Sequence, residues 1–147
     1  MGKHVLFVCT GNTCRSALAE VLAADLLDQA RRSEIRVTSA GTHASHGSPA
    51  TIGARLVAAE LGLHLEYHHS TFLDEALVAT ADHIFCMETT HLQAVQALKP
   101  DATVSLLGLE GSEIADPYGS GIDSYRTTRD VILKALAARL PELFADG

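Results

Sequence analysis

The chain has 147 residues, 47% of them hydrophobic and 20% charged, with 11 basic and 18 acidic side chains and a formal charge of −7. This is the size of one ordinary domain, expected over 1–147, and the composition argues against disorder. The acidic balance argues against nucleic acid as the main partner, and no apolar run reaches the ~18 residues of a membrane span. A small phosphorylated substrate stays compatible, because a local positive pocket can sit on an acidic protein.

In chain order, Val5–Val8 is a short β-branched and aromatic run, read as a buried strand. Cys9–Arg15 is a loop. Ser16 opens a helical stretch in which Leu18, Val21, Leu22, Leu26 and Ala30 recur at helical spacing, ending near Arg31-Arg32. Ile35–Ser39 reads as a second strand, Ala40–Pro49 as a loop rich in Gly, Ser and His, and Ala50–Leu61 as a helix stopped by Gly62. Asp74–Ala79 is a short helix, His83–Met87 a third strand, Glu88–Leu98 a helix, and Thr103–Leu107 a fourth strand. The long loop Gly108–Asp123 precedes a last helix, Ser124–Leu140.

Strands alternating with helices predict an α/β fold, with a parallel sheet flanked by helices on both faces. Sites in such sheets lie at the carboxyl ends of the strands, and the Cys9 loop sits at one. No leader pattern of basic, apolar and small residues precedes Val5. Three cysteines form an odd set without scaffold spacing, so reduced thiols and a cytoplasmic location are expected. The oligomeric state is not legible.

The loop reads Cys9-Thr10-Gly11-Asn12-Thr13-Cys14-Arg15-Ser16. A loop between a strand and a helix start turns several backbone N–H groups into one concavity, next to the positive end of the helix dipole. Gly11 and Asn12 tolerate positive φ and let it curl. Such a cradle holds an oxyanion and equally stabilises a thiolate at Cys9. Arg15 adds a planar fork of donors for two phosphate oxygens, and Ser16 a hydroxyl for the sulfur. A Walker loop fits poorly, since no Gly-Lys-Ser/Thr follows.

Phosphoryl transfer to a thiolate needs a proton for the leaving group. Asp116 is the candidate acid, in the long loop after the fourth strand, with Pro117 stiffening its backbone and Tyr118 as a wall for the substrate. Asp-Pro is also an ordinary turn signal, and only its pairing with the Cys9 loop gives it this role.

These residues resemble the low-molecular-weight protein phosphatases over nearly the full length. The landmarks are Val8 to Ser16, Ser39-Ala40-Gly41-Thr42, Cys86-Met87-Glu88 and Asp116-Pro117-Tyr118-Gly119. The resemblance implies a four-stranded parallel sheet and a two-step reaction on phosphorylated protein substrates, with neither metal nor cofactor. The Cys9 thiolate would take the phosphoryl group as Asp116 protonates the leaving atom; water would then attack the phosphocysteine with Asp116 as base. Thr10 to Ser16 would bind phosphate and Arg15 its equatorial oxygens. Asn12 would be held by Ser39 and a histidine, His68 or its neighbour His69.

Thr13 matches the protein-arginine phosphatases of this family, as does the run Gly119 to Tyr125; tyrosine-specific members carry an apolar β-branched residue at that point. Tyr118 points the other way, since the arginine branch has phenylalanine there. The preferred reading is phosphoarginine, with phosphotyrosine as the alternative. The resemblance also raises a Cys9–Cys14 disulfide that protects the nucleophile from overoxidation, against a plain packing role for Cys14. Thioredoxin-coupled arsenate reductases share the loop and shuttle a disulfide to a cysteine pair near Cys86. No cysteine follows Cys86 here, so that activity is a remote alternative.

Overall fold

A computed structural model describes residues 3–144. Strands β1 (Lys3–Cys9), β2 (Ile35–Gly41), β3 (His83–Cys86) and β4 (Val104–Leu106) form one sheet in the order β2-β1-β3-β4, and every neighbouring pair is parallel. Helices α1 (Arg15–Gln29), α2 (Ile52–Ala59), α3 (Glu75–Thr80), α4 (Thr89–Leu98) and α5 (Ile122–Phe144) cover it. This is the α/β architecture that the alternation of strand and helix signals predicts.

The period-2 geometry of a strand sorts β1 between two cores. Val5, Phe7 and Cys9 pack with residues of α1, α2 and α5, whereas Leu6 and Val8 pack with residues of α3 and α4. Every residue from His4 to Cys9 is buried, as a central strand covered on both faces requires. The chain leaves β1 towards β2 on one side and β3 on the other. Its switch point is therefore the carboxyl end of β1, where ligand crevices form in open parallel sheets.

Several boundaries differ from the sequence reading, most by a residue or two, and three of the differences have a visible cause. β2 runs on through Gly41, which pairs with Cys9 in the parallel register. A glycine is required there because a Cβ would stand 2.4 Å from the Thr10 carbonyl oxygen. Helix α2 starts later than Ala50 because Thr51 takes the N-cap position, its hydroxyl accepting from the Ala54 N–H at 3.2 Å. Helix α5 continues past Pro141 to Phe144. Proline forgoes a single backbone bond in that last turn, while Leu140 and Leu143 on either side of it are buried. Among the described residues no helix is long and apolar enough to cross a membrane.

Candidate active site

Cys9 closes β1, and the loop after it delivers the chain into α1 at Arg15. The sulfur is 3% exposed at residue level and has two neighbours, the Asn12 N–H at 3.3 Å and Ser16 Oγ at 2.9 Å. Which way the Ser16 proton points follows from the residues behind it. The Glu20 carboxylate only accepts, so the Ser39 hydroxyl donates to it at 2.6 Å. Ser39 Oγ then accepts from Asn12 Nδ2 at 2.9 Å, and Ser16 Oγ accepts the other Nδ2 proton at 2.8 Å. The Ser16 proton is thereby free for Cys9 Sγ; its competing contact, the Ala40 carbonyl, is longer at 3.4 Å.

Asn12 is fully buried and sits at φ 55°, in the left-handed region that asparagine tolerates. Its Oδ1 accepts from the Thr71 N–H at 2.8 Å, and its backbone carbonyl accepts from His68 Nε2 at 2.6 Å. Ser39 and His68 thus both touch Asn12; His69 is exposed. Glu20 and Thr71 complete this network and had no sequence signal beyond their side-chain types.

The loop carbonyls are occupied from outside. Cys9 O and Thr10 O accept from Thr42 and His43 N–H, continuing the β1–β2 ladder past the strands, and Thr13 O accepts from Thr51 N–H. Cys14 O receives the first bond of α1, from Leu18 N–H. With these oxygens engaged elsewhere and the Asn12 N–H directed at Cys9 Sγ, the loop suits an anion cradle built from amide hydrogens.

Arg15 is 2% exposed. Its Nη1 donates to Glu88 Oε2 at 2.5 Å and to the Ile114 carbonyl at 2.8 Å. Nη2 lies 3.5 Å from Thr10 Oγ1 and 3.8 Å from Asp116 Oδ2. Among the described residues Nε–H meets no acceptor, and Nη2 has only these two long contacts. Asp116 has its side chain 46% exposed, and its Oδ1 accepts from the Tyr118 N–H at 3.0 Å, a turn that fixes the carboxylate next to Pro117. Tyr118 stands 74% exposed. A cleft of about 350 Å³ joins these groups. It is lined by Cys9, Thr10, Gly11, Thr13, Cys14 and Arg15 from the loop, together with His43 to Ser45, Ser48, Asp116 and Tyr118.

The sequence thus placed the loop and the acid in one cleft without indicating Glu88 or His91 as parts of it. Glu88 belongs to a landmark string but carried no assigned role. His91 was one histidine among 8; it accepts from the Glu88 N–H at Nδ1 and contacts Thr10 Oγ1 through Nε2. Burial, then the Arg15 charge, push its pKa down, so the ring is neutral. Among the described residues no cluster of His, Cys, Asp or Glu is arranged to hold a metal ion.

The other two cysteines differ in position. Cys14 shares the Cys9 side of the sheet, and burial pushes its thiol up to about 12. Cys86 lies in the opposite core, beneath α3 and α4, and burial pushes it likewise to about 12. Its side chain is buried in the core opposite that of Cys9, and no cysteine follows it in the chain to complete a disulfide relay.

Residues 4–146 match the model of the family described as low molecular weight phosphotyrosine protein phosphatase. The chain belongs to this family. It is 36% identical to a protein-arginine-phosphatase of Geobacillus stearothermophilus, over 97% of this chain and 96% of that one. It is 33% identical to the probable low molecular weight protein-tyrosine-phosphatase EpsP of Ralstonia nicotianae, over the full length of both. The crystal structure of the Erwinia amylovora tyrosine phosphatase AmsI superposes with a TM-score of 0.87 at 31% identity, covering 97% of this chain and 93% of that one. Relatives with either substrate name are about equally near, so similarity alone does not choose between them.

Proposed function

We propose that the protein is a cysteine-dependent phosphatase that hydrolyses phosphoarginine on protein substrates through a phosphocysteine intermediate. In the first step the Cys9 thiolate attacks phosphorus, the P–N bond breaks, and the Asp116 carboxyl gives its proton to the leaving guanidine. In the second, water attacks the phosphocysteine, Asp116 takes the water proton, the S–P bond breaks and inorganic phosphate leaves with the thiolate restored. Arg15 and the loop amides hold the equatorial oxygens through both steps. The chain's own residues supply every proton and charge that these steps need. Three cysteines free of disulfides fit a protein that works in the reducing cytoplasm.

The observation that carries the phosphatase reading is the Ser16 and Asn12 donors on Cys9 Sγ, with Arg15 and Asp116 facing the same cleft. For the substrate it is Thr13. It lines the cleft, and its hydroxyl has no hydrogen-bond partner among the described residues. The lining also includes His43, Ser45 and Ser48, polar groups suited to a guanidinium more than to a phenol ring. The second reading, phosphotyrosine, draws on Tyr118, an exposed ring able to stack on a phenol. Turnover of phosphoarginine and phosphotyrosine peptides by the wild type and by Thr13→Ile decides between them. The expected result is a wild-type preference for phosphoarginine that shifts towards phosphotyrosine on substitution. A wild type that ignores phosphoarginine removes the substrate assignment and leaves the phosphatase standing.

A further inference from the structure

His91 takes no part in the steps above, yet it is 2% exposed and lies one hydrogen bond from the loop. Its Nδ1 accepts from the Glu88 N–H at 3.1 Å, so that nitrogen carries no proton and the neutral ring is protonated at Nε2. Nε2–H therefore donates to Thr10 Oγ1, 2.8 Å away. The same oxygen is the nearest acceptor to Arg15 Nη2, at 3.5 Å. One ring thus ties the amide of Glu88, whose carboxylate holds Arg15 Nη1, to the hydroxyl beside Nη2.

We infer that His91 is a positioning residue that, through Thr10 and the Glu88 backbone, fixes the Arg15 guanidinium in the orientation that receives the phosphoryl oxygens. The inference rests on the phosphatase reading. A planar guanidinium needs both ends held to present a fixed edge. Nη1 is anchored by Glu88 and the Ile114 carbonyl. Nη2 has two neighbours, Thr10, which the buried His91 ring braces from behind, and Asp116, held by the Tyr118 N–H on an exposed turn. Once the Thr10 hydroxyl is loose, Nη2 closes on the half-exposed Asp116 carboxylate. That pairing occupies the phosphate-binding cation and the acid together.

His91 also stands at the third position of α4, where a capping-box Glu or Gln would serve the helix alone. The experiment separates the two roles. In H91Q the side-chain oxygen accepts from the Glu88 amide and the NH₂ donates to Thr10; H91E keeps the acceptor and lacks the donor. With an aryl phosphate as substrate and inorganic phosphate as a calorimetric probe, H91Q stays within about threefold of wild type. H91E loses about tenfold in kcat/KM and in phosphate affinity at a comparable Tm, T10V loses as much, and the double variant T10V/H91E is no worse than T10V. Equal behaviour of H91E and H91Q overturns the inference, as do losses that multiply in the double variant. If H91E does not fold, wild-type phosphate affinity in T10V overturns it. A wild type that binds phosphate but turns over no phosphorylated substrate ends the phosphatase reading instead, while phosphate affinity still reports on His91.

Discussion

Substituting Asn12 separates hydrogen-bond direction from shape. Asn12→Asp preserves the side-chain outline and tolerates φ 55°. Asn12→Ala removes the side chain and adds about 1 kcal/mol of left-handed strain. Packing alone makes aspartate the milder change. The donor chain through the site predicts the reverse for catalysis. In the wild type both Nδ2 protons are spent on Ser16 and Ser39, which leaves the Ser16 proton for Cys9. A carboxylate there takes the Ser16 proton for itself, competes with Glu20 for that of Ser39, and sets a second negative charge near the thiolate. Alanine leaves Ser16 facing the sulfur. A hydrogen bond to a charged group is worth about 1.5–3 kcal/mol, or roughly ten- to hundredfold in rate. We expect kcat/KM on an aryl phosphate to fall about a hundredfold in Asn12→Asp and about tenfold in Asn12→Ala, each losing roughly 2–4 kcal/mol in urea unfolding. If both variants fold and Asn12→Asp is the more active, the donor direction is wrong.

Asp116→Asn should still form phosphocysteine from substrates with good leaving groups but fall about 10²- to 10⁴-fold on poor ones; unchanged turnover of a poor leaving group removes Asp116 as the acid. Because burial holds the Cys14 thiol near 12, it stays protonated at neutral pH. A bond to Cys9 therefore forms only after an oxidant has made the Cys9 sulfenic acid, which Cys14 condenses with, losing water. Peroxide inactivation should be reversed by dithiothreitol in the wild type and be permanent in Cys14→Ala; permanent loss in the wild type, with no Cys9–Cys14 peptide, refutes this. His91 is held below its ordinary pKa by burial and Arg15, so the unfolded chain binds its proton first. Stability from this group is intact above the unfolded value of about 6.5 and declines as pH drops below it. Urea midpoints of wild type and H91Q should diverge below that pH, and parallel curves would refute the assignment.

Elements with strong periodicity were legible. The apolar run at Val5–Val8 and the spacing of Leu18, Leu22 and Leu26 fixed β1 and α1 to within two residues or so. Boundaries set by contacts distant in sequence were not. Gly41 looks like loop because glycine punctuates chains, yet it ends β2 through its partner Cys9. Pro141 looks like a stop, yet buried neighbours carry α5 past it. The site divides the same way. Cys9, Arg15 and Ser16 stand in one short string whose chemistry can be read locally. Glu20 and His91 are common polar residues that no local pattern marks, and Glu88, though part of the Cys86-Met87-Glu88 string, gains its role only where the fold sets it against Arg15.

The engaged carbonyls of the loop have a bearing on solution conditions. A chain of formal charge −7 offers little long-range attraction to a phosphate dianion, and the buried cation of the loop, Arg15, is largely compensated by Glu88. Attraction must come from oriented peptide dipoles and the open edge of Arg15, both acting at contact distance. Those are not screened by mobile ions the way separated charges are. The affinity of the loop for phosphate is therefore nearly flat in ionic strength, and what salt does alter is the approach of an anionic substrate, which a repelling surface slows most in dilute buffer.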